Sequence, residues 1–247
     1  MSKYTKLSLQ KYKYLQKLNK NSYFKRKEEK AIVQGEHQVT ELLKNKPNIV
    51  DYLLISDKYN IPNTYKKATY LIDRGMSFNL SIDKSPINVA AVVSTKNLIY
   101  NLDLTKGIYI CLVNVQDPFN MGSIFRTAEA FGVKGILLAE DCVDPFNNKV
   151  VASSTGSVFK VPFVKYGNCL ELINANKNVN FIGTTNSANK DYRENKEKNA
   201  VFIFGNEGKG LDSSITVKTN YNVKIPIKNI NSLNLSVSVG IIISSNI

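Results

Sequence analysis

The stretch Val201-Phe202-Ile203-Phe204-Gly205-Asn206-Glu207-Gly208-Lys209-Gly210-Leu211 decides the fold. Its first four residues are apolar without interruption, a pattern typical of a strand buried on both faces of a parallel sheet. The glycines that follow allow close approach to the backbone at the carboxyl end of that strand, where open α/β sheets bind their ligands. The alternative is an ordinary tight turn between a strand and a helix. Two further stretches, 120–132 and 225–240, favour the ligand loop.

The glycine loop matches neither of two common nucleotide-binding motifs. Its glycines follow the order G-x-x-G-x-G, whereas the dinucleotide motif reads G-x-G-x-x-G. Lys209 is followed by Gly210 rather than by Ser or Thr, so the loop is not a phosphate-binding P-loop. An enzyme that depends on a nucleotide phosphate is therefore disfavoured.

Composition predicts a globular protein that binds a polyanion. The chain has 247 residues, a length that suits two modest domains or one large one. Hydrophobic residues make up 43% of it, which is enough for a sizeable core. The formal net charge is +13, and residues 1–30 carry ten Lys or Arg against two Glu, a net +8. Such a basic segment favours nucleic acid as the partner. The alternative is that the positive charge reflects only a general compositional bias towards Lys and Asn and does not mark a binding surface.

Several classes of protein are disfavoured by what the sequence lacks. Its apolar runs are strand-sized, well short of the roughly 20 residues of a membrane span, and no signal peptide is visible. Cys111, Cys142 and Cys169 are widely spaced, which predicts reduced thiols and a cytoplasmic location. His37 is the only histidine, so a multi-histidine metal site is excluded and a Ser-His-Asp triad is disfavoured. We expect no metal and no membrane partner.

The first part of the chain is predicted to be a small α/β unit. Within it, Phe24-Lys25-Arg26-Lys27 combines an aromatic ring with cations, which suits base stacking and phosphate contact; the alternative is a solvated loop. We place the domain boundary within 94–106, giving domains 1–95 and 106–247. The predicted elements are helix 8–19, strand 31–34, helix 37–44, strand 49–55, helix 64–74 and strand 88–93.

The second part is predicted to be an α/β domain with a parallel sheet. A strand over 108–115 leads through a loop into a helix over 123–131, on which Arg126 lies opposite the apolar face. Arg126 has an alternative interpretation as the partner of Glu129 in a surface ion pair. Apolar and polar residues alternate from Asn231 to Gly240, and this periodicity alone predicts a strand.

Three stretches together resemble the motifs of the SpoU (TrmH-like) RNA 2′-O-ribose methyltransferases. They are Asn120-Met121-Gly122-Ser123-Ile124-Phe125-Arg126-Thr127, Phe204-Gly205-Asn206-Glu207-Gly208-Lys209-Gly210, and Ile225-Pro226-Ile227 followed by Ser232-Leu233-Asn234-Leu235-Ser236. The resemblance covers about 108–247, and 1–93 is similar to that family's small RNA substrate-binding domain. It implies a parallel sheet with a C-terminal trefoil knot, and a helix over 232–244 in place of the strand.

The resemblance also implies a set of site residues. Gly205, Ile225 and Leu233 match positions that hold S-adenosylmethionine, largely through backbone groups. The matching polar residues at the reacting centre are Asn120, Arg126, Glu207, Ser232 and Asn234. Transfer of a methyl group from a sulfonium sulfur requires alignment of the donor with the acceptor hydroxyl and removal of the hydroxyl proton, but it requires no metal.

The resemblance implies three further properties. The acceptor is a ribose 2′-OH, which means RNA rather than DNA, and the two-domain layout favours 23S rRNA over tRNA by analogy alone. The family packs as a homodimer through its knots, with the Arg of the first motif near the partner's cofactor. A noncatalytic RNA-binding protein of the same fold is the alternative.

Overall fold

The structure is a computed structural model that describes residues 4–247 apart from 58, 60, 62–64, 66, 82–84, 99 and 195. The chain divides into two compact units, which we call the N-terminal unit (Met1–Leu98 with Phe146–Lys160) and the C-terminal unit (Ile99–Pro145 with Val161–Ile247). Segment Phe146–Lys160 belongs with the N-terminal unit, which differs from the single domain boundary predicted within 94–106.

The N-terminal unit is built on a mixed five-stranded sheet with the order β1-β4-β3-β5-β2. Strand β5 is antiparallel to both β2 and β3, whereas β4 is parallel to β1 and β3. A cluster that includes Leu15, Leu18, Leu54 and Val92 forms its core. The elements are β1 (Thr5–Lys6), α1 (Leu9–Lys20), α2 (Ser22–Glu28), β2 (Lys30–Gln34), α3 (Glu36–Asn45), β3 (Val50–Ile55), β4 (Thr69–Leu71), α4 (Arg74–Leu80), β5 (Val89–Ser94) and α6 (Asn148–Ser153), with short 3-10 turns at Pro47–Ile49, Lys96–Leu98 and Ser157–Phe159.

One helix predicted in this unit is wrong. The predicted helix spans 64–74, and of that range residues 64 and 66 lie outside the described part. The structure has strand β4 at Thr69–Leu71, which pairs with β1 and β3, and a helix that starts only at Arg74. Asp73 sets that start, because its side chain accepts a hydrogen bond from the backbone N–H of Met76.

The aromatic-basic cluster predicted to contact RNA is partly engaged inside the N-terminal unit. Its residues lie on helix α2 rather than in a loop. Lys25 is buried, and its Nζ donates hydrogen bonds to the Phe146 carbonyl at 3.2 Å and to Asn148 Oδ1 at 2.6 Å. The Phe24 ring packs edge-on against Tyr14. Lys25 therefore fastens segment Phe146–Lys160, and only Arg26 and Lys27 remain exposed cations of this cluster.

The C-terminal unit has an all-parallel seven-stranded sheet with the order β10-β12-β9-β11-β6-β7-β8. Strand β11 is the predicted apolar strand, lies between β9 and β6, and is fully buried. The parallel sheet and the edge position of β8 are confirmed. The elements are β6 (Ile108–Val113), α5 (Pro118–Ala130), β7 (Gly135–Ala139), β8 (Phe163–Lys165), α7 (Cys169–Ala175), β9 (Phe181–Thr184), β10 (Lys190–Asp191), β11 (Ala200–Phe204), α8 (Ser213–Thr216), β12 (Tyr221–Lys224) and α9 (Leu235–Ser244), with a 3-10 turn at Tyr192–Glu194.

The two helices that carry sequence motifs begin at capped positions. Helix α5 begins five residues earlier than predicted, because Asp117 caps it and Pro118 occupies its first position. The segment after Asn234 is the helix α9, as the resemblance implied, and not the strand that its alternation indicated. The trefoil knot stays a prediction, since strand order and register do not trace the path of the C-terminal segment.

None of the helices in the described residues is long and apolar enough to cross a membrane.

Candidate active site

The motifs lie where parallel strands end. Strands β6, β11, β9 and β12 run in the same direction, so their carboxyl ends share one edge of the sheet. A cleft of about 450 Å³ opens there, within the size range of small-molecule sites. Its walls come from four stretches and include Thr184–Ser187, Phe204–Leu211, Val223–Ile225, Asn231–Leu233, Leu235, Ser238 and Ile242.

Five predicted site residues line this cleft, and three do not. Gly205, Glu207, Ile225, Ser232 and Leu233 are in its walls, whereas Asn120, Arg126 and Asn234 are not. The wall that follows β9 contains none of the predicted site residues. There the Asn186 side chain donates a hydrogen bond to the Asn231 carbonyl at 2.6 Å, which joins the β9 loop to the third motif. A polar run directly after an apolar strand was the signal that would have found it.

The glycine loop closes on itself. The backbones of Asn206 and Gly210 exchange two hydrogen bonds, of 3.0 and 2.9 Å. This closure brings the Gly210 carbonyl and the Leu211 nitrogen so close to Gly205 that a Cβ there would collide with backbone atoms. Gly210 has φ of +71°, a left-handed conformation that favours glycine. Gly205 is thus required by the loop's own geometry, a reason that the sequence analysis did not give.

Asn206 holds the loop in place, although the sequence analysis gave it no role. Its Oδ1 accepts from the backbone N–H groups of Gly208 and Lys209, at 2.9 and 3.0 Å. Its Nδ2 donates to the Asn114 carbonyl at 2.8 Å, which ties the loop to the end of β6. Asn commonly bonds nearby backbone in turns, so its position after Gly205 was the available signal.

The Glu207 carboxylate binds the first motif. Its Oε1 accepts from the Asp117 N–H at 3.0 Å and from Asn120 Nδ2 at 3.3 Å, and its Oε2 accepts from the Gln116 N–H at 3.3 Å. Three donors from the segment that starts α5 thus converge on one half-buried carboxylate. Glu207 positions the start of α5 against the glycine loop.

Asn120 links the second motif to the third. It is 7% exposed, and its Oδ1 accepts a 3.0 Å hydrogen bond from Asn234 Nδ2. Asn234 Oδ1 caps α9 by accepting from the Ser236 and Val237 N–H groups. The chain Glu207–Asn120–Asn234 therefore fixes the relative position of all three motifs, and we call it the motif network.

Arg126 stands apart from the motif network. It follows Asn120 by six residues, roughly 9 Å along the helix axis and on a different face. Its side chain is exposed and makes no hydrogen bond or ion pair with any residue that the structure describes, so the alternative pairing with Glu129 is absent there. Arg126 is therefore available to a partner from outside this chain.

Cys142 lies beside the site but is not a nucleophile. Its Sγ donates to the Leu112 and Ala139 carbonyls at 3.3 and 3.2 Å. Burial raises the pKa of the Cys142 thiol to about 11. The group is therefore a neutral thiol near pH 7, whereas nucleophilic cysteines react as thiolates.

Asn120→Asp is expected to weaken the motif network in a pH-dependent way. The new carboxylate would face Glu207 in place of an amide donor, so the folded state would raise its pKa. That loss of stability is absent below the ordinary Asp pKa and grows as pH rises. We expect a loss of about 1–3 kcal/mol at pH 7.5 and less at pH 5, measured by urea unfolding. An equal loss at both pH values would contradict this account, and Asn174→Asp on α7 is the control.

The profile of the SpoU rRNA Methylase family matches residues 107–244. The 23S rRNA (guanosine(2553)-2′-O)-methyltransferase RlmP of Bacillus subtilis is 30% identical over 219 residues, covering 86% of each chain.

Two solved structures are similar along almost the whole chain. The AdoMet-bound rRNA methyltransferase of Sinorhizobium meliloti has a TM-score of 0.84 at 23% identity, covering 98% of this chain and 95% of that one. The SpoU methyltransferase AviRb of Streptomyces viridochromogenes, in complex with AdoMet, has a TM-score of 0.84 at 21% identity, covering 97% of each chain. These likenesses support the α/β fold. By the family profile and the Bacillus subtilis relative, the chain belongs to the SpoU family and is an RNA 2′-O-ribose methyltransferase of that family.

Proposed function

We propose that the protein methylates a ribose 2′-OH in 23S rRNA, with S-adenosylmethionine as the methyl donor. The observation that carries the proposal is the cleft at the ends of β11, β12 and β9, whose walls the motif network holds together. The relative from Bacillus subtilis, which is named for a guanosine in 23S rRNA, supports the choice of rRNA over tRNA. The free thiols of Cys111, Cys142 and Cys169 support a cytoplasmic location.

The cleft fits S-adenosylmethionine. Ile225 and Leu233 are half-buried in its wall, and neither makes a hydrogen bond within the described part of the chain. Backbone groups left without partners at such positions favour a ligand that supplies them. We assign these two residues and Gly205 to the donor. When bound, the donor supplies an electrophilic methyl group on a sulfonium sulfur.

The polar residues divide into two roles. Glu207, Asn120 and Asn234 form hydrogen bonds to each other and to backbone, so they position the walls of the cleft. Arg126 has a guanidinium that donates hydrogen bonds and accepts none. We therefore assign Arg126 to holding the target phosphate and favouring the developing negative charge on the 2′-oxygen. Ser232, exposed in the cleft wall, is assigned to contact with the target ribose.

We further propose that the active protein is a homodimer in which each Arg126 serves the partner's cleft. Arg126 lies on α5, is exposed, and does not line the cleft of its own chain. Helices α5 and α9 pack together and expose apolar side chains, with Phe119 at 59% and Val237 at 49% exposure. Apolar groups exposed on neighbouring helices favour a protein interface there.

We assign most of the RNA affinity to the N-terminal unit. Its exposed cations include Lys13, Arg26 and Lys27 on α1 and α2, none of which makes an ion pair with a described residue. Exposed cations without an ion-pair partner bind phosphates and release counterions. Lys25 is excluded from this surface because it is buried.

Calorimetric titration with S-adenosylmethionine tests the proposed donor. We expect one site per chain without added metal, because one cleft carries the unpaired backbone groups of Ile225 and Leu233. The same titration with ATP is the control, since the loop lacks a phosphate-binding motif. Absence of heat with S-adenosylmethionine, together with tight RNA binding, would favour the noncatalytic RNA-binding alternative.

Replacing Lys13, Arg26 and Lys27 together with Gln tests the RNA surface. We expect weaker RNA binding and a salt dependence, plotted as log K against log salt, that is shallower by roughly 2 units. The matched control replaces Lys106, Lys134 and Lys198 of the C-terminal unit, which removes the same charge. If both triple variants change the slope equally, the positive charge of the N-terminal unit reflects only amino-acid composition, and the proposal fails.

A further inference from the structure

The N-terminal unit contains a cavity of about 800 Å³ that the proposed chemistry does not use. It lies where β1, β4 and β3 end, with further walls from α4 and the segment before β5. All three strands run parallel there, so their carboxyl ends meet at one edge, the usual place for ligands in such sheets. Its lining includes Lys6, Leu7, Asp57, Ile72, Arg74 and Met76.

The cavity combines an apolar floor with charged groups at its rim. Leu7 and Ile72 in its lining are 5% and 4% exposed. The side chains of Lys6, Arg74 and Asp57 are exposed and make no hydrogen bond or ion pair within the part of the chain that the structure describes. Asp73 also lines the cavity, but its carboxylate caps α4. Three charged side chains are thus available to a ligand.

This arrangement matches the chemistry of one nucleotide. A nucleobase has flat apolar faces that suit the floor, and RNA-binding proteins read single-stranded bases that are splayed out of the helix. The cations at the rim suit a phosphate. A carboxylate accepts hydrogen bonds from an exocyclic amino group, as Asp and Glu accept from cytosine N4. Uracil has no amino group, and its one donor on that edge, the N3–H, lies between two carbonyls that repel a carboxylate.

We propose that this cavity receives one unpaired nucleotide of the RNA substrate, with a base that carries an amino group, and that Asp57 selects that base. The inference rests on the proposed function only in taking RNA as the substrate. It makes the N-terminal unit a reader of RNA sequence as well as a basic surface. Arg74 and Lys6 hold the phosphate of the same nucleotide.

Binding of single nucleotides to the full-length protein tests the cavity. Amide NMR spectra are recorded during titration with CMP and with UMP. We expect CMP to shift the signals of Leu7, Ile72 and Met76 saturably, with an affinity about tenfold higher than that of UMP. Asp57→Asn should remove that preference, whereas Arg74→Ala should weaken both nucleotides equally. Lys44→Ala, on α3 outside the cavity, should change neither.

A second measurement distinguishes substrate RNA from a free nucleotide. We expect Asp57→Asn to lower the affinity for transcribed 23S rRNA fragments while the salt dependence stays as in the wild type, since no phosphate contact is lost. If Asp57→Asn weakens nucleotide binding but leaves the RNA affinity unchanged, the cavity is a site for free nucleotides and the proposal is overturned. Equal shifts by CMP and UMP, or none, would overturn it too. The proposed function is tested by the separate titration with S-adenosylmethionine, so a negative result for the cavity leaves the proposed function unaffected.

Discussion

Arg126→Ala should lower the rate of methyl transfer by about a hundredfold to a thousandfold, the loss typical of removing one group that stabilises developing charge. Affinity for S-adenosylmethionine should stay unchanged, because Arg126 is assigned to the target phosphate and the 2′-oxygen and not to the donor. The measurements are kcat with saturating RNA and a calorimetric titration of the donor. Thr127→Ala, the next residue on α5, is the control. A variant that loses donor affinity instead would contradict the assignment.

Mixing two inactive chains tests whether the site is shared. One chain carries Arg126→Ala and the other Gly205→Trp, which disrupts the glycine loop. If each Arg126 serves the partner's cleft, a heterodimer pairs an intact Arg126 with an intact cleft on the other chain and regains activity. Heterodimers confirmed by mass spectrometry that remain inactive would place Arg126 in its own chain's site.

Gly205→Ala is expected to lower the affinity for S-adenosylmethionine at least a hundredfold, about 3 kcal/mol. The added Cβ would collide with the Gly210 carbonyl and the Leu211 nitrogen. Asn206 and Gly210 therefore cannot keep the two hydrogen bonds that close the loop. Calorimetry measures the affinity, and thermal unfolding checks that the protein is folded.

Gly208→Ala is the matched control in the same loop. A Cβ there would meet only Asn206 Oδ1, at an ordinary contact distance of 3.6 Å. We expect its affinity to stay close to that of the wild type. If both alanine variants bind equally well, the closed loop is not what shapes the cleft.

The buried parallel sheet could be predicted because its strands are short apolar runs. Strand β11 and the burial of all five of its residues follow from uninterrupted hydrophobicity. The alternation before Gly240 misled, because its polar positions are Asn234, which caps the helix, and two serines, which a helix also tolerates. In α9 the buried residues Val239, Ile242 and Ile243 follow helical spacing, and the run from Ile241 to Ile243 already breaks the strand pattern.

The parts that could not be predicted depend on contacts between distant residues. Lys25 looks like an RNA contact in sequence, yet its partners Phe146 and Asn148 are about 120 positions away. The Asn186 hydrogen bond to Asn231 likewise joins two loops with no shared pattern. The members of the motif network were identified by resemblance, but their hydrogen bonds to each other required coordinates.

The most direct test of the central claim is the alkali resistance of the methylated product. Purified protein is incubated with transcribed 23S rRNA, or with transcribed tRNA, and with S-adenosylmethionine that carries a labelled methyl group. The RNA is then hydrolysed in alkali, which cleaves only next to a free 2′-OH. We predict label from 23S rRNA in dinucleotides that resist cleavage. Label in mononucleotides would mean methylation of a base and would contradict the account, as would RNA that binds but gains no label.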